Sequence, residues 1–192
     1  MNALAKQRMK ARFKYTWPFY ILSGVLIALL LNFIFGITHR PPVYKTLTLF
    51  VSGEITDSKK LNGDLLEKFK ENDLKTFSCI SAKPTDSNYY HKLSIPGYNS
   101  ADVLIIPTSR LESLTVSAFA LDLSDELINR YYQGFTLYQQ EDINYGVKID
   151  KEKVKDYMVL PNEDCYMFLN SKSENTSEEH NNALVLVKDW GM

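Results

Sequence analysis

The feature that most constrains this chain is an apolar run from Trp17 to Ile37 that carries no charge. Ser23 and Asn32 are its strongly polar members. At about 1.5 Å of rise per residue, a helix of this length reaches roughly 30 Å, the thickness of a bilayer core. Backbone groups in hydrocarbon must be satisfied within their own segment, so a single transmembrane helix is expected. Tyr15, Trp17 and Tyr20 fall where interfacial aromatic residues belong. Pro18 is expected in the first helical turn, where its missing N–H costs little, and Pro41 and Pro42 mark the stop.

Lys6, Arg8, Lys10, Arg12 and Lys14 precede the run, and no acidic residue does. That asymmetry places the tail in the cytoplasm and the C-terminal part outside the cell. A cleaved signal peptide would have an apolar core of about 7–15 residues followed by a small-x-small site. Phe33 to Arg40 offers no such site. The expected organisation is a cytoplasmic tail over 1–16, an uncleaved anchor over 17–37, a linker over 38–44 and one extracytoplasmic domain over 45–192. The span itself makes the lipid bilayer the first partner.

Six of the 22 basic residues lie at or before Arg40 and all 23 acidic residues lie after it, so the outer segment is acidic by about seven charges. Nucleic acid demands a basic face, so it is not an expected partner. Cys79 and Cys165 both sit in apolar, strand-like stretches. Outside the cell they have the option of pairing, while a domain of this size also buries a core without a staple.

The outer segment alternates strands with helices. Lys45–Val51 (KTLTLFV), Lys75–Ile80 and Ala101–Ile106 read as strands, the last buried on both faces. Asp64 with Glu67 makes a capping pattern beside a face of Leu61, Leu65, Leu66 and Phe69. Ser52–Asp57, Ser81–Ser100 and Ser171–Ser177 read as loops. Ser109 with Glu112 predicts a capped short helix, Ser124 caps Asp125–Tyr132, and Thr176 with Glu179 caps a last helix carrying Leu184, Val187 and Trp190. Phe135–Tyr138 and Ile143–Ile149 are short strands joined by a polar turn, and Asp164–Leu169 is another. The fold class that follows is α/β: one three-layer domain with a mostly parallel sheet, whose first strand neighbours the second and third.

Several segments, in this order, resemble the extracellular solute-binding proteins of ABC transporters, of the sugar-binding type. KTLTLFVSGEIT is similar to their first strand and ligand-facing loop, and ADVLIIPTSRLESL to their third strand with its Asp-Val pair. AFALDLSDEL, INYGVKI and CYMFLN resemble later elements, although Lys148 stands where a Pro is usual. The likeness covers most of Lys45 to Asn170. It implies one lobe of a fold that usually closes two lobes on a ligand, with a membrane span replacing the usual lipid-attached cysteine. It also implies a carbohydrate ligand and a permease as membrane partner.

In open α/β sheets, ligands sit beyond the carboxyl ends of the strands at the switch point. The candidate ligand-binding residues are therefore Ser52, Gly53 and Glu54 after the first strand, and Thr108, Ser109 and Arg110 after the third. The alternative is that Ser109 only caps a helix and both charges are solvated. Tyr145, Tyr166 and Trp190 suit either ring stacking on a sugar or the core. His39, His91 and His180 are scattered and no cysteine has metal spacing, so no metal or cofactor is expected. Asn175-Thr176-Ser177 matches a glycosylation sequon. No nucleophile elbow, P-loop or dinucleotide fingerprint occurs, and no enzyme is expected. Two functions stand side by side: a solute-binding-like accessory of a transporter, and a tethered protein-interaction module that is a sensor or assembly partner without a small ligand.

Overall fold

The computed structural model describes residues 3–38 and 41–192. It forms two compact units, divided after Arg40. His39 and Arg40 lie outside the described residues.

The first unit is one helix, Ala3–Thr38. Its stretch Thr16–Gly36 has a mean hydropathy of 2.2 and is long and apolar enough to cross a membrane. The Ser23 hydroxyl donates to the Tyr20 carbonyl at 2.9 Å, so this polar group is satisfied within the helix. Pro18 is not in the first turn as expected. The helix starts well before it, so Pro18 lies in its interior and removes one backbone donor there.

The second unit is built on a six-stranded sheet. Its strands are β1 (Thr46–Ser52), β3 (Thr76–Ala82), β4 (Val103–Pro107), β5 (Leu137–Gln140), β6 (Ile143–Lys148) and β8 (Cys165–Leu169). The order is β3-β1-β4-β8-β6-β5. β1 lies between β3 and β4 and is parallel to both, as expected. β8 then runs antiparallel to β4 and to β6, and β5 antiparallel to β6. Four of the six strands thus point one way, with β8 and β5 against them. β5 and β6 are joined by Glu141 and Asp142, both at positive φ (53° and 63°), the geometry of a two-residue turn that matches strand twist.

Alternation along the central strands feeds two cores, one on each face. Leu47, Leu49, Val51, Val103 and Ile105 join one, which is covered by Leu61 and Leu65 of helix Ser58–Lys68 and by Leu184 and Val187 of helix Asn182–Trp190. Phe50, Leu104 and Ile106 join the other with Tyr89, Leu93, Leu111 and Phe119. This is the three-layer arrangement. The segment read as a loop over Ser81–Ser100 is wound into helical turns from Tyr89 to Ser100, because Tyr89 and Leu93 must be buried on that face.

Several caps differ from expectation. Helix Ser58–Lys68 is capped by Asp57, whose carboxylate accepts from the N–H groups of Lys59 and Lys60. Asp64 lies inside that helix and accepts from the Tyr157 hydroxyl at 2.9 Å. Thr176 belongs to a separate turn, and the last helix begins at Asn182. Ser124 does cap its helix, accepting from Leu127 N–H. Tyr145 and Trp190 are buried in the two cores, and Tyr166 packs on one of them. Cys79 on β3 and Cys165 on β8 are free thiols. Two intervening strands separate them by roughly 14 Å at about 4.8 Å per strand, beyond disulfide reach. Burial pushes their thiols up, to about 12 and about 11.

The amino-terminal edge of the sheet is held by a buried polar network around Asp102, which is 7 % exposed. Its carboxylate accepts from Thr48 N–H at 2.7 Å, from Asn175 Nδ2 at 3.2 Å and from the Ser173 hydroxyl. Asn175 is fully buried and also donates to the Thr46 carbonyl, so the sequon asparagine is a structural group. Asp102→Ala leaves Thr48 N–H and Asn175 without their acceptor and should cost about 3 kcal/mol in denaturant unfolding. Desolvation raises the Asp102 pKa above 3.8 despite those hydrogen bonds. A raised carboxyl pKa contributes stability below the unfolded value that is lost as pH rises through the folded one. The neighbouring exposed Asp73, bonded to Lys45 and Lys75, is held down to about 2, so its contribution is lost as pH falls through that value. Carbon-detected NMR titration should therefore show Asp102 protonating above 3.8 and Asp73 below it.

Candidate functional site

The sheet's carboxyl edge carries an open groove of about 470 Å³. It is assembled from four segments. Gly53 and Glu54 follow β1, Lys83 to Thr85 follow β3, Ser109 and Arg110 follow β4, and Val159 to Pro161 with Glu163 precede β8. Of the six residues singled out in the sequence, Gly53, Glu54, Ser109 and Arg110 line this groove together.

Ser52 and Thr108 do not line it. Ser52 is fully buried and its hydroxyl pairs with Tyr89 Oη at 2.7 Å, beneath the groove. The Thr108 hydroxyl and N–H both donate to the Asp164 carbonyl at 2.9 Å. These two residues hold loops in place.

The loop after β1 is not free chain. Glu54–Ile55 form a short strand, β2, that pairs antiparallel with Met158–Val159, β7. Gly53 sits at the closest approach, where an added Cβ would lie 2.4 Å from the Val159 carbonyl oxygen. This pairing brings Val159, Leu160 and Pro161 in as an apolar floor, and Val159 stays 61 % exposed. The segment 158–163 was not singled out in the sequence. Its one signal is Pro161 between two apolar stretches.

The charges lining the groove are largely settled. Glu54 pairs with Lys83 at 2.7 Å in the open. Ser109 does not cap the short helix Thr108–Leu111 in the expected way. Instead its N–H and hydroxyl both donate to the Glu163 carboxylate at 2.7 Å, so an internal carboxylate already occupies the donors predicted for a ligand. Lys151 is fastened to the carbonyls of Pro161 and Glu163 at 2.6 Å. Arg110 has no carboxylate partner among the described residues. Its guanidinium lies 5.5 Å from the ring centres of both Tyr89 and Tyr90 and donates to Tyr90 Oη at 3.2 Å and to the Pro84 carbonyl. Burial pushes the Tyr89 hydroxyl up to about 12, while hydrogen bonding with Ser113 and then Arg110 lowers that of Tyr90. The arrangement presents a fixed planar cation, a pair of compensated charges and an apolar strip. Among the described residues no group of three or more metal-ligating side chains converges.

Gly53→Ala must displace the Val159 backbone. It should unpair β2 from β7 and cost about 1–3 kcal/mol in thermal or denaturant unfolding. Hydrogen exchange should speed selectively at the β2–β7 backbone amides.

No protein-family model and no curated protein matches this chain. Among solved structures, it is similar to a substrate-binding protein of an ABC transporter from Listeria monocytogenes in complex with cycloalternan, at 15% identity over 58% of this chain and 32% of that one, with a TM-score of 0.35. It is also similar to the apo form of RafE from Streptococcus pneumoniae, at 18% identity over 62% of this chain and 33% of that one, with a TM-score of 0.33. The matched part is about a third of the length of each of these structures.

Proposed function

We propose that this chain is a membrane-anchored, extracytoplasmic solute-binding-like domain that serves a carbohydrate transport system of the ABC type as an accessory component. It binds without catalysing. The observation that carries this reading is the groove at the switch point, where loops from β1, β3 and β4 meet the strip before β8. Its volume lies in the range of small-ligand sites, and few polar groups converge on an apolar floor, as such sites require. The ordered sequence motifs support the same role. The helix Thr16–Gly36 supplies the anchor, and the basic residues before it set the domain outside.

A second reading is favoured by the openness of the groove. It has one wall, and Val159 is exposed on its floor. A protein partner brings its own second wall, so a tethered interaction module uses the same surface.

Two experiments decide. Protease added to wall-stripped intact cells should digest Pro42–Met192 and spare the basic tail; protection of the domain would refute the orientation. The second is a melting screen with oligosaccharides beside a pull-down of membrane partners. A sugar at 100-fold its Kd should add about 2.7 kcal/mol and raise Tm by several degrees. Glu54→Ala with Arg110→Ala should abolish that rise; loss of exposed Glu54 should cost about 0.5 kcal/mol, and loss of half-buried Arg110 with its tyrosine and Pro84 contacts about 1–2 kcal/mol, so the Tm of the unliganded double variant is the baseline. No shift with any sugar, together with partner capture lost in the double variant, selects the interaction module. Unchanged capture and no sugar shift removes this face altogether.

A further inference from the structure

As a membrane anchor, the helix Thr16–Gly36 carries one group that hydrocarbon cannot satisfy, the side-chain amide of Asn32. Asn32 lies four residues before Gly36, so it sits about 6 Å inside the outer end of the span at about 1.5 Å per residue. Side chains on a helix tilt toward its N-terminus. With the basic tail inside the cell, that tilt points the amide toward the bilayer centre and away from the outer headgroups. Among the described residues the amide has no hydrogen-bond partner, whereas the Ser23 hydroxyl is satisfied by the Tyr20 carbonyl. An amide offers two donors and one acceptor oxygen, and lipid tails answer none of them. The partner must therefore be a second protein segment at the same depth.

The surroundings of Asn32 show what kind of segment fits. Gly24, Ala28, Asn32 and Gly36 follow one another at four-residue steps and form one ridge along the helix. A Cβ added at Gly24 or Gly36 would meet no atom within 4 Å, so nothing in the chain itself requires a glycine at either position. The opposite ridge, through Leu22, Leu26 and Leu30, is large and suits lipid. A low ridge lets two backbones approach closely, which a side chain as short as Asn needs to reach across. A second copy supplies the complementary group without further assumption. The same basic tail orients every copy the same way, so two copies lie parallel with their Asn32 amides level. Each Nδ2 then donates to the other's Oδ1. We propose that the anchor is a parallel homodimer interface, with Gly24, Ala28 and Gly36 in backbone contact and the two Asn32 amides hydrogen-bonded to each other across the two-fold axis. The pairing rests on the anchor proposed above but not on any ligand of the groove.

The test uses the full chain, labelled at its amino terminus with a donor or an acceptor fluorophore, in phosphatidylcholine vesicles. Carbonate extraction of the same vesicles reports insertion separately. Wild type should resist extraction and show energy transfer above random encounter as the lipid is diluted. Asn32→Leu should lower the association constant about tenfold, and Asn32→Gln should recover part of that loss. Gly24→Ile with Gly36→Ile should also lower it, while Leu30→Ile on the opposite ridge should leave it unchanged. Release by carbonate would overturn the anchor and the pairing together. Three results with the chain retained would overturn the pairing and leave the anchor standing: no transfer above random encounter, undiminished transfer in Asn32→Leu, or an equal loss in Leu30→Ile. Transfer that needs other membrane proteins present would assign Asn32 to a different helix and equally overturn the homodimer.

Discussion

The rest of the domain depends on the carboxylate of Asp102. It lies just ahead of β4 and gathers the Thr48 N–H of β1, the Ser173 hydroxyl and the Asn175 amide at the amino edge of the sheet. The main chain of Asp102 completes the knot, donating to the Thr48 carbonyl and accepting from Asn170 N–H. A group this buried is tolerated because both of its carboxylate oxygens accept hydrogen bonds. Its consequence is register. With β1 and β4 fixed at Leu49↔Val103, and β1 and β3 at Thr46↔Thr76, the three strands end together near Ser52, Ala82 and Pro107. A slip of one residue would turn every core side chain of a strand to the wrong face. A groove built from the residues that follow those ends is therefore set by a polar contact at the far edge.

At the carboxyl edge the fold satisfies its own charges before any ligand does. The donors at Ser109 face Glu163, and Glu54 faces Lys83. Solvent-exposed pairs such as the latter contribute little to stability, but they cancel the local field. Arg110 is the exception. Two tyrosine rings and a carbonyl fix its plane without neutralising it, which spends no ligand affinity on ordering the side chain.

Much of this was legible in the residues. β-branched alternation and capped helices gave β1, β3 and β4 as neighbours, and the Asp-Val pair opening ADVLII is the pair that anchors the network. What was not legible is direction. Cys165–Leu169 is apolar on both faces like a parallel strand, and periodicity carries no information on polarity, which the connection through 149–164 decides. Local patterns also misled where tertiary partners outbid them. Asp64 and Glu67 match a capping box, yet Asp57 lies about two turns earlier and takes the free N–H groups first. Glu163, distant in sequence, takes the role predicted for a ligand at Ser109. Seven of the eleven lining residues, Lys83 to Thr85, Val159 to Pro161 and Glu163, were not singled out as site residues, and those before β8 arrive through a β2–β7 pairing that needs only two residues from each side.

The turn to antiparallel pairing at β8 has a functional corollary. β8 enters the sheet from the carboxyl edge, so the segment leading into it crosses that edge and becomes the groove's apolar floor. The floor is thus part of the fold, pinned by Lys151 and by β2, and needs no closing motion to form. A preformed single wall saves ordering entropy but leaves a bound solute wet on its other side, so intrinsic affinity is low. Anchorage offsets this under the proposed role. Holding the domain beside a membrane partner turns a second contact into an intramolecular one, at effective concentrations of the order of millimolar for a short tether.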